Sequence, residues 1–366
     1  MKYVFNLFCI LLSAGSLLAQ VRQEKDLHRT FYSGNTDEVE ITNRYGDVIV
    51  RAWDLDSVRF DVTLKAEGKT SDAVNKSMSR VDVRFLKVGS VVSAETTVGK
   101  NRGFLGNALN NVEGVVGANK LSVVFEVWMP KGLSLDLINK FGDVYLEDLD
   151  SDVRITLAHG DMRAGKIGGR FVLEHSFGKV SIRDLKNGNL KLRASELNLD
   201  QSERLEIESG SSKIYIGKTK TTEFNSRNDK IEIDDTQHLS GTGSFTDIHV
   251  HQVSHSARLE LSYGELSLKQ LSREFTGVSV ISKAVDLSLG IDQASFIQAS
   301  IKGETDRMVL PNSMLIMSKT TLEDDRIWLA GDVGNTNKSK SKLELDMDGG
   351  SLVVAIKDTF LFSEKD

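Results

Sequence analysis

The sequence predicts an all-β fold: a single-stranded parallel β-solenoid with about 17–18 residues per coil and an N-terminal capping insertion. Three observations lead there. A short phrase recurs along the chain, its copies keep a near-constant spacing, and apolar and polar residues alternate inside each copy.

RYGDVIV (44–50), KFGDVYL (140–146), SFGKVSI (176–182) and SYGELSL (262–268) are variants of one phrase, and AHGDMRA (158–164) is a weaker copy. From Gly142 to Gly160 to Gly178 the step is eighteen residues. The glycine is then lost, while SELNL (195–199), SKIYI (212–216), DKIEI (229–233) and TDIHV (246–250) continue at seventeen. Gly264 restores it, and VDLSL (285–289) follows after a longer step. So short a period excludes propeller blades and helical repeats, and fits two short strands and two turns per coil. Within the phrase, residues two apart are aliphatic: Val144 and Leu146, Val180 and Ile182, Leu197 and Leu199, Ile214 and Ile216, Ile231 and Ile233. A second alternating pair lies between phrases, at Val153 and Ile155, Phe171 and Leu173, and Leu190 and Leu192. Period two marks a strand with one buried face, so each coil presents two apolar edges to a shared interior.

Stacked about 4.8 Å apart, ten such coils make a rod on the order of 50 Å long. The glycines are expected to supply turns with φ > 0 as the chain enters each strand. Tyr45, Phe141, Phe177 and Tyr263, just before them, are expected to stack into an aromatic ladder that serves packing. Handedness is taken as right-handed by analogy with other parallel β-helices. Pro130 and Pro311 are the only prolines, so few positions forbid ladder hydrogen bonds.

Taken from the start, residues 1–19 read as a secretory signal peptide. Lys2 is followed by an apolar stretch shorter than a membrane-spanning helix needs, ending at Ala19, where cleavage is expected. The sole cysteine, Cys9, falls inside it, so disulfides and thiol chemistry are excluded from the exported protein. Residues 20–135 are expected to hold the first coil and the capping insertion. The insertion contains strands at 58–65, 81–85, 91–96 and 121–129, and a short helix capped by Thr70 or Ser71 with Val74, Met78 and Val81 on one face. Inside it, the glycine-rich stretch 103–117 reads as a loop, with a partner-binding segment as the alternative. Residues 136–358 are assigned to the coils, interrupted by a polar loop at 331–342. GGSLVVAI (349–356) is expected to be the strand that closes the solenoid, and 359–366 a tail.

The whole chain has 366 residues, 46 of them Lys or Arg and 52 Asp or Glu, for a net charge of −6. That makes nucleic acid a poor partner and mainly confers solubility. Beyond the leader no segment is apolar enough to span a membrane.

The pattern N-x-[YF]-G-D-V, the strand that ends in a proline and runs into the next phrase (VVFEVWMPKGLSLDLINKFGDVYLEDL, 123–149) and the coils after it resemble the bacterial putative-adhesin family of exported β-solenoid domains. The resemblance covers roughly residues 38–356. It implies an exported, surface-associated solenoid and carries no catalytic residues to transfer.

Two constellations invite chemistry. HVHQVSH places His249 and His251 on one strand face, with His255 after the turn, a weak candidate for zinc or copper; the favoured reading is solvent-exposed histidines. Asp143, Asp161, Glu196, Asp247, Glu265 and Asp286 follow the glycine position, as exposed acids do in pectin-degrading β-helices, but Lys179, Lys213 and Lys230 interrupt the row. Alternating signs relieve repulsion between neighbouring strands, which favours stability over catalysis. No nucleophile elbow, phosphate-binding glycine loop, metal helix or cofactor motif occurs in the sequence. The leading expectation is a non-enzymatic exported protein, in the periplasm, on the outer surface or secreted, whose rigid flank binds, adheres or scaffolds at the cell envelope. An envelope protein or a polysaccharide is the expected partner. The alternatives are a carbohydrate-active β-helix enzyme, lyase or hydrolase, and a polymerising β-helical scaffold.

Overall fold

The computed structural model describes residues 20–99, 120–273, 275–324, 326–333 and 341–357. The expected leader with Cys9, the stretch 103–117, residues 334–340 of the polar segment and the tail 359–366 lie outside the described residues.

Among the described residues the protein is all-β but for one short helix and a 3-10 turn at Thr305–Arg307, and its strands form one mostly parallel sheet. The first seven strands are β1 (Val21–Tyr32), β2 (Glu38–Arg44), β3 (Val48–Trp53), β4 (Ser57–Gly68), β5 (Val81–Val88), β6 (Val91–Val98) and β7 (Lys120–Pro130). Helix α1 (Ser71–Met78) sits between β4 and β5. Thr70 caps it by accepting from the Ala73 N–H at 3.3 Å, and Val74 is buried. The helix ends at Met78. Val81, expected on its apolar face, instead opens β5.

β8 (Ser134–Lys140), β9 (Val144–Leu146), β10 (Val153–Ala158), β11 (Met162–Gly210), β12 (Lys213–Arg227), β13 (Lys230–Leu271) and β14 (Gly277–Asp292) make the regular part. The long ones are ribbons of extended backbone that bend at single residues with positive φ, such as Phe177 and Ala194 in β11. They pair in parallel with the turn above: Val153 lies opposite Phe171, Leu197 opposite Ile214, and Ile214 opposite Ile231. Side chains bridging successive layers join residues eighteen apart in the glycine-bearing stretch and seventeen apart beyond it. The alternation explains the interior: Val144, Val180, Leu197, Ile214, Ile231, Ile248 and Leu266 are all buried, as are the partners two residues on. Each such side chain contributes about 1.5–3 kcal/mol on leaving water.

Both ends depart from this regularity. At the N-terminal end β2 lies between β8 and β6, and β3 between β9 and β7, all in parallel. Beyond them β5 joins β6, β4 joins β7, and β1 joins β4, all antiparallel. The edge strand β1 carries Arg22, Glu24, Lys25 and Asp26, charges that discourage further pairing.

The C-terminal end holds β15 (Ile297–Gly303), β16 (Met308–Val309), β17 (Met314–Thr321), β18 (Ile327–Val333), β19 (Ser341–Asp348) and β20 (Leu352–Lys357). Here the spatial order departs from chain order. β19 pairs with β14 on one side and β15 on the other, and β20 lies between β14 and β16. The strand expected to close the structure is therefore an interior layer, and the outer layer comes from residues 297–309. β18 then pairs antiparallel with β15, and β17 with β18. The polar segment is shorter than expected, since Gly331 and Lys342 belong to strands.

Candidate functional site

The recurring phrase builds one corner of the molecule, and each of its letters has a separate task. The turn is made by the residue before the glycine. Tyr45, Phe141, His159, Phe177, Ala194, Ser211, Asn228, Phe245, Tyr263 and Ala284 all have φ between 47° and 69°. The expectation that the glycines supply the positive φ holds at Gly178 and Gly264, at 159° and 145°, and fails at Gly46, Gly142 and Gly160, where the preceding residue alone has it. A non-glycine residue held in that region costs about 1 kcal/mol or more, so the surrounding layers must enforce it.

The glycines are needed for space. A Cβ on Gly142 would run into the Gly46 carbonyl, and one on Gly160 into that of Gly142. The carbonyls thus crowded are satisfied from inside. Asn43 and Asn139, both fully buried, donate through Nδ2 to Gly46 O at 3.0 Å, and Asn139 also to Gly142 O at 2.9 Å. His175 takes over one layer up, with Nε2 2.9 Å from Gly160 O and Nδ1 2.8 Å from Ser195 Oγ. A carbonyl only accepts, so Nε2 carries the proton. Burial pushes the His175 pKa below its usual value and keeps the ring neutral.

The acid after the glycine works from outside. Asp47 Oδ1 accepts from the Asp143 N–H at 2.9 Å, Asp143 Oδ1 from the Asp161 N–H at 2.8 Å, and Asp161 Oδ1 from the Lys179 N–H at 2.8 Å. Asp143 and Asp161 are therefore engaged by backbone donors of the next layer, one physical reason for an acid at this position beyond charge alternation. Alternation operates higher up, where Lys179 lies 3.2 Å from Glu196.

Above Gly178 the corner changes chemistry. Ser195, Ser212, Asp229 and Thr246 occupy the glycine position and are buried. The Ser195 N–H donates to Ser212 Oγ at 3.2 Å, the Ser212 N–H to Asp229 Oδ1 at 2.6 Å, and the Asp229 N–H to Thr246 Oγ1 at 3.4 Å. Asp229 Oδ2 also accepts from the hydroxyls of Ser209 and Ser226, both at 2.6 Å.

The residues of positive φ point outward. Tyr45, Phe141, His159 and Phe177 form one stack, with centroids 5.6, 5.1 and 4.8 Å apart and planes within 9°. Phe245 and Tyr263 form a second, at 4.9 Å and 11°. The ladder is a surface feature: Phe177 and Phe245 are 55 % and 56 % exposed. His159 and Phe245, absent from the expected ladder, occupy the same place in their copies of the phrase, and aligning every copy on the glycine position would have found them.

His249 is half-buried and His251 exposed on β13. His255 leans on His238, with ring centroids 5.2 Å apart. Among the described residues no three His, Cys, Asp or Glu side chains gather to hold a metal ion, and no helix is long and apolar enough to cross a membrane. Open grooves run along sheet faces, one lined by His238, Arg258 and Lys342, another by Arg51, Tyr145 and Arg163.

No protein-family model matches the chain, and no curated protein does. Solved structures similar to it include a putative cell adhesion protein from Clostridium sporogenes, 12 % identical, covering 92 % of this chain and 100 % of that one, with a TM-score of 0.19. Two from Parabacteroides distasonis, a putative adhesin and a putative lipid binding protein, are each 12 % identical and cover 72 % of this chain, with TM-scores of 0.34. They take in 97 % and 96 % of their own lengths.

Proposed function

We propose that this chain is a non-enzymatic, exported β-solenoid that presents a rigid flank for binding, adhesion or scaffolding at the cell envelope. Its coils of 17–18 residues are taken to wind right-handed, the hand that parallel crossovers overwhelmingly adopt. The observation that carries the reading is the outward ladder: exposed rings held parallel, on residues whose backbone conformation is intrinsically unfavourable. Solvent exposure of large aromatic area brings no folding benefit, whereas pre-ordered aromatic surface lowers the entropic cost of association. Of the six acids in the row, Asp143 and Asp161 are engaged by backbone N–H groups of the next layer.

The test is sedimentation of the labelled protein lacking residues 1–19 with intact bacterial envelopes. Saturable retention is expected, weakened at least about tenfold when Phe141, Phe177, Phe245 and Tyr263 are together replaced by Ala. Two results would overturn the reading: retention indifferent to those replacements, or cleavage of a polysaccharide that disappears on replacing Asp143 or Asp161.

A further inference from the structure

The two aromatic stacks share one corner but do not meet. Between Phe177 and Phe245 the ladder positions hold Ala194, Ser211 and Asn228, so three rungs lack a ring. Four layer steps separate the two rings, a span of about 19 Å. The ring of Phe177 is covered by His159 on one side, and that of Phe245 by Tyr263 on one side, leaving each an uncovered face toward the gap. Both are more exposed than Phe141, which has a ring on either side and is 39 % exposed.

Charge changes over the same rungs. Beneath the gap the position after the glycine column holds Asp47, Asp143 and Asp161, then Lys179 on the Phe177 rung; within it lie Glu196, Lys213 and Lys230, and above it Asp247 and Glu265. Lys179 and Lys230 are paired, with Glu196 at 3.2 Å and Glu232 at 2.6 Å. Lys213, Arg193 and Arg227 are exposed and make no ion pair among the described residues. Beneath them Asp229 is buried, its carboxylate taken up by Ser209, Ser226 and the N–H groups of Ser212 and Arg227. The floor is polar, since Asn228 Nδ2 donates to Ser211 Oγ at 3.3 Å.

We propose that this gap binds an acidic saccharide, a short pyranose segment bearing carboxylate, sulfate or phosphate. The electron-rich faces of Phe177 and Phe245 attract the polarised C–H face of a sugar ring. Ser211 and Asn228 offer hydrogen bonds to hydroxyls, and Arg193, Lys213 and Arg227 meet the anionic group, the arginines with the fork that suits carboxylate, sulfate and phosphate. The acids above and below repel a long polyanion, so nucleic acid fits poorly and the recognised segment is limited to the width of the gap. This inference rests on the reading of the protein as an envelope binder and names what that binder recognises.

Calorimetric titration with a galacturonate hexasaccharide, a sulfated galactan oligosaccharide and, as neutral control, maltohexaose tests it on the protein lacking residues 1–19. At least one acidic probe is expected to bind, at least about tenfold more tightly than the neutral one, and to weaken as salt rises from low ionic strength. The surface variant R193Q/K213Q/R227Q is expected to lose at least about tenfold in affinity while its thermal midpoint stays put, and F177A and F245A to weaken binding separately. Equal binding of the neutral probe, undiminished binding by the triple variant, or no heat with either acidic probe overturns the proposal. Envelope retention by the triple variant at the wild-type level sinks the saccharide site and leaves the envelope-binding reading standing; failure of the wild type to be retained sinks both.

Discussion

The same turn is built in two ways at one corner. Around Gly142, Gly160 and Gly178 the layers come so close that no Cβ fits, and the crowded carbonyls and N–H groups find partners in Asn139, His175, Asp143 and Asp161. Around Ser195, Ser212 and Asp229 a Cβ is present, and the side chains at the glycine position themselves bond the layer below. The φ of the preceding residue is the same in both, 61° at Phe177 and 58° at Asn228. Backbone conformation is thus conserved by stacking, while the means of satisfying its polar groups is free to change.

Replacing the key residue of each region tests that distinction. Gly160→Val forces a branched side chain against a backbone carbonyl and is expected to cost about 3 kcal/mol or more by urea unfolding. The same change at Ser212 is expected to cost clearly less, because a Cβ already fits there. Equal losses would erase the contrast. Asp229→Ala strands the Ser209 hydroxyl and two N–H groups beneath the surface and leaves Ser226 only Thr246 Oγ1, for an expected loss of about 2–3 kcal/mol. Its counterpart Asp161→Ala frees a single N–H that water reaches, with about 1 kcal/mol lost.

The smallest effect is a slope. The His175 pKa is lower in the folded protein than the usual 6.5, so between the two values the unfolded chain binds the extra proton. Its contribution is fully present above pH 6.5 and is lost as pH falls through the folded value. Unfolding free energy measured from pH 7.5 to 5 should decline below 6.5 in the wild type, and His175→Gln should decline less. Parallel curves would remove His175 as the cause.

What the sequence disclosed was what repeats with period two or at the layer spacing. Val180, Leu197 and Ile214 announce an inward face because each is flanked by polar residues and has a copy seventeen or eighteen residues on. The place of the corner was legible for the same reason, and its inner chemistry was not. Asn139 and His175 look like ordinary strand residues until the layer below brings a carbonyl to each. Glycine drew the turn assignment because it tolerates positive φ, yet at Gly142 and Gly160 it was required for close approach, and the strained conformation fell to its neighbour. β1 escaped notice because charges fill most of its length and only Val21, Leu27 and Phe31 lean inward. The C-terminal layer order left no trace, because pairing of Asp286 with Ser351 across 65 residues has no local signature.

That layer order bears on biosynthesis. A ribosome releases residues 297–333 before 341–357, yet the later segment occupies the space between β14 and the earlier one. Until it arrives, β14 and β15 each present an unmatched row of amide groups, and the apolar interior at that end stays open to water. Folding that starts only once the whole chain is released avoids this interval, whereas a product truncated near residue 340 would keep both rows bare and advertise itself to proteases.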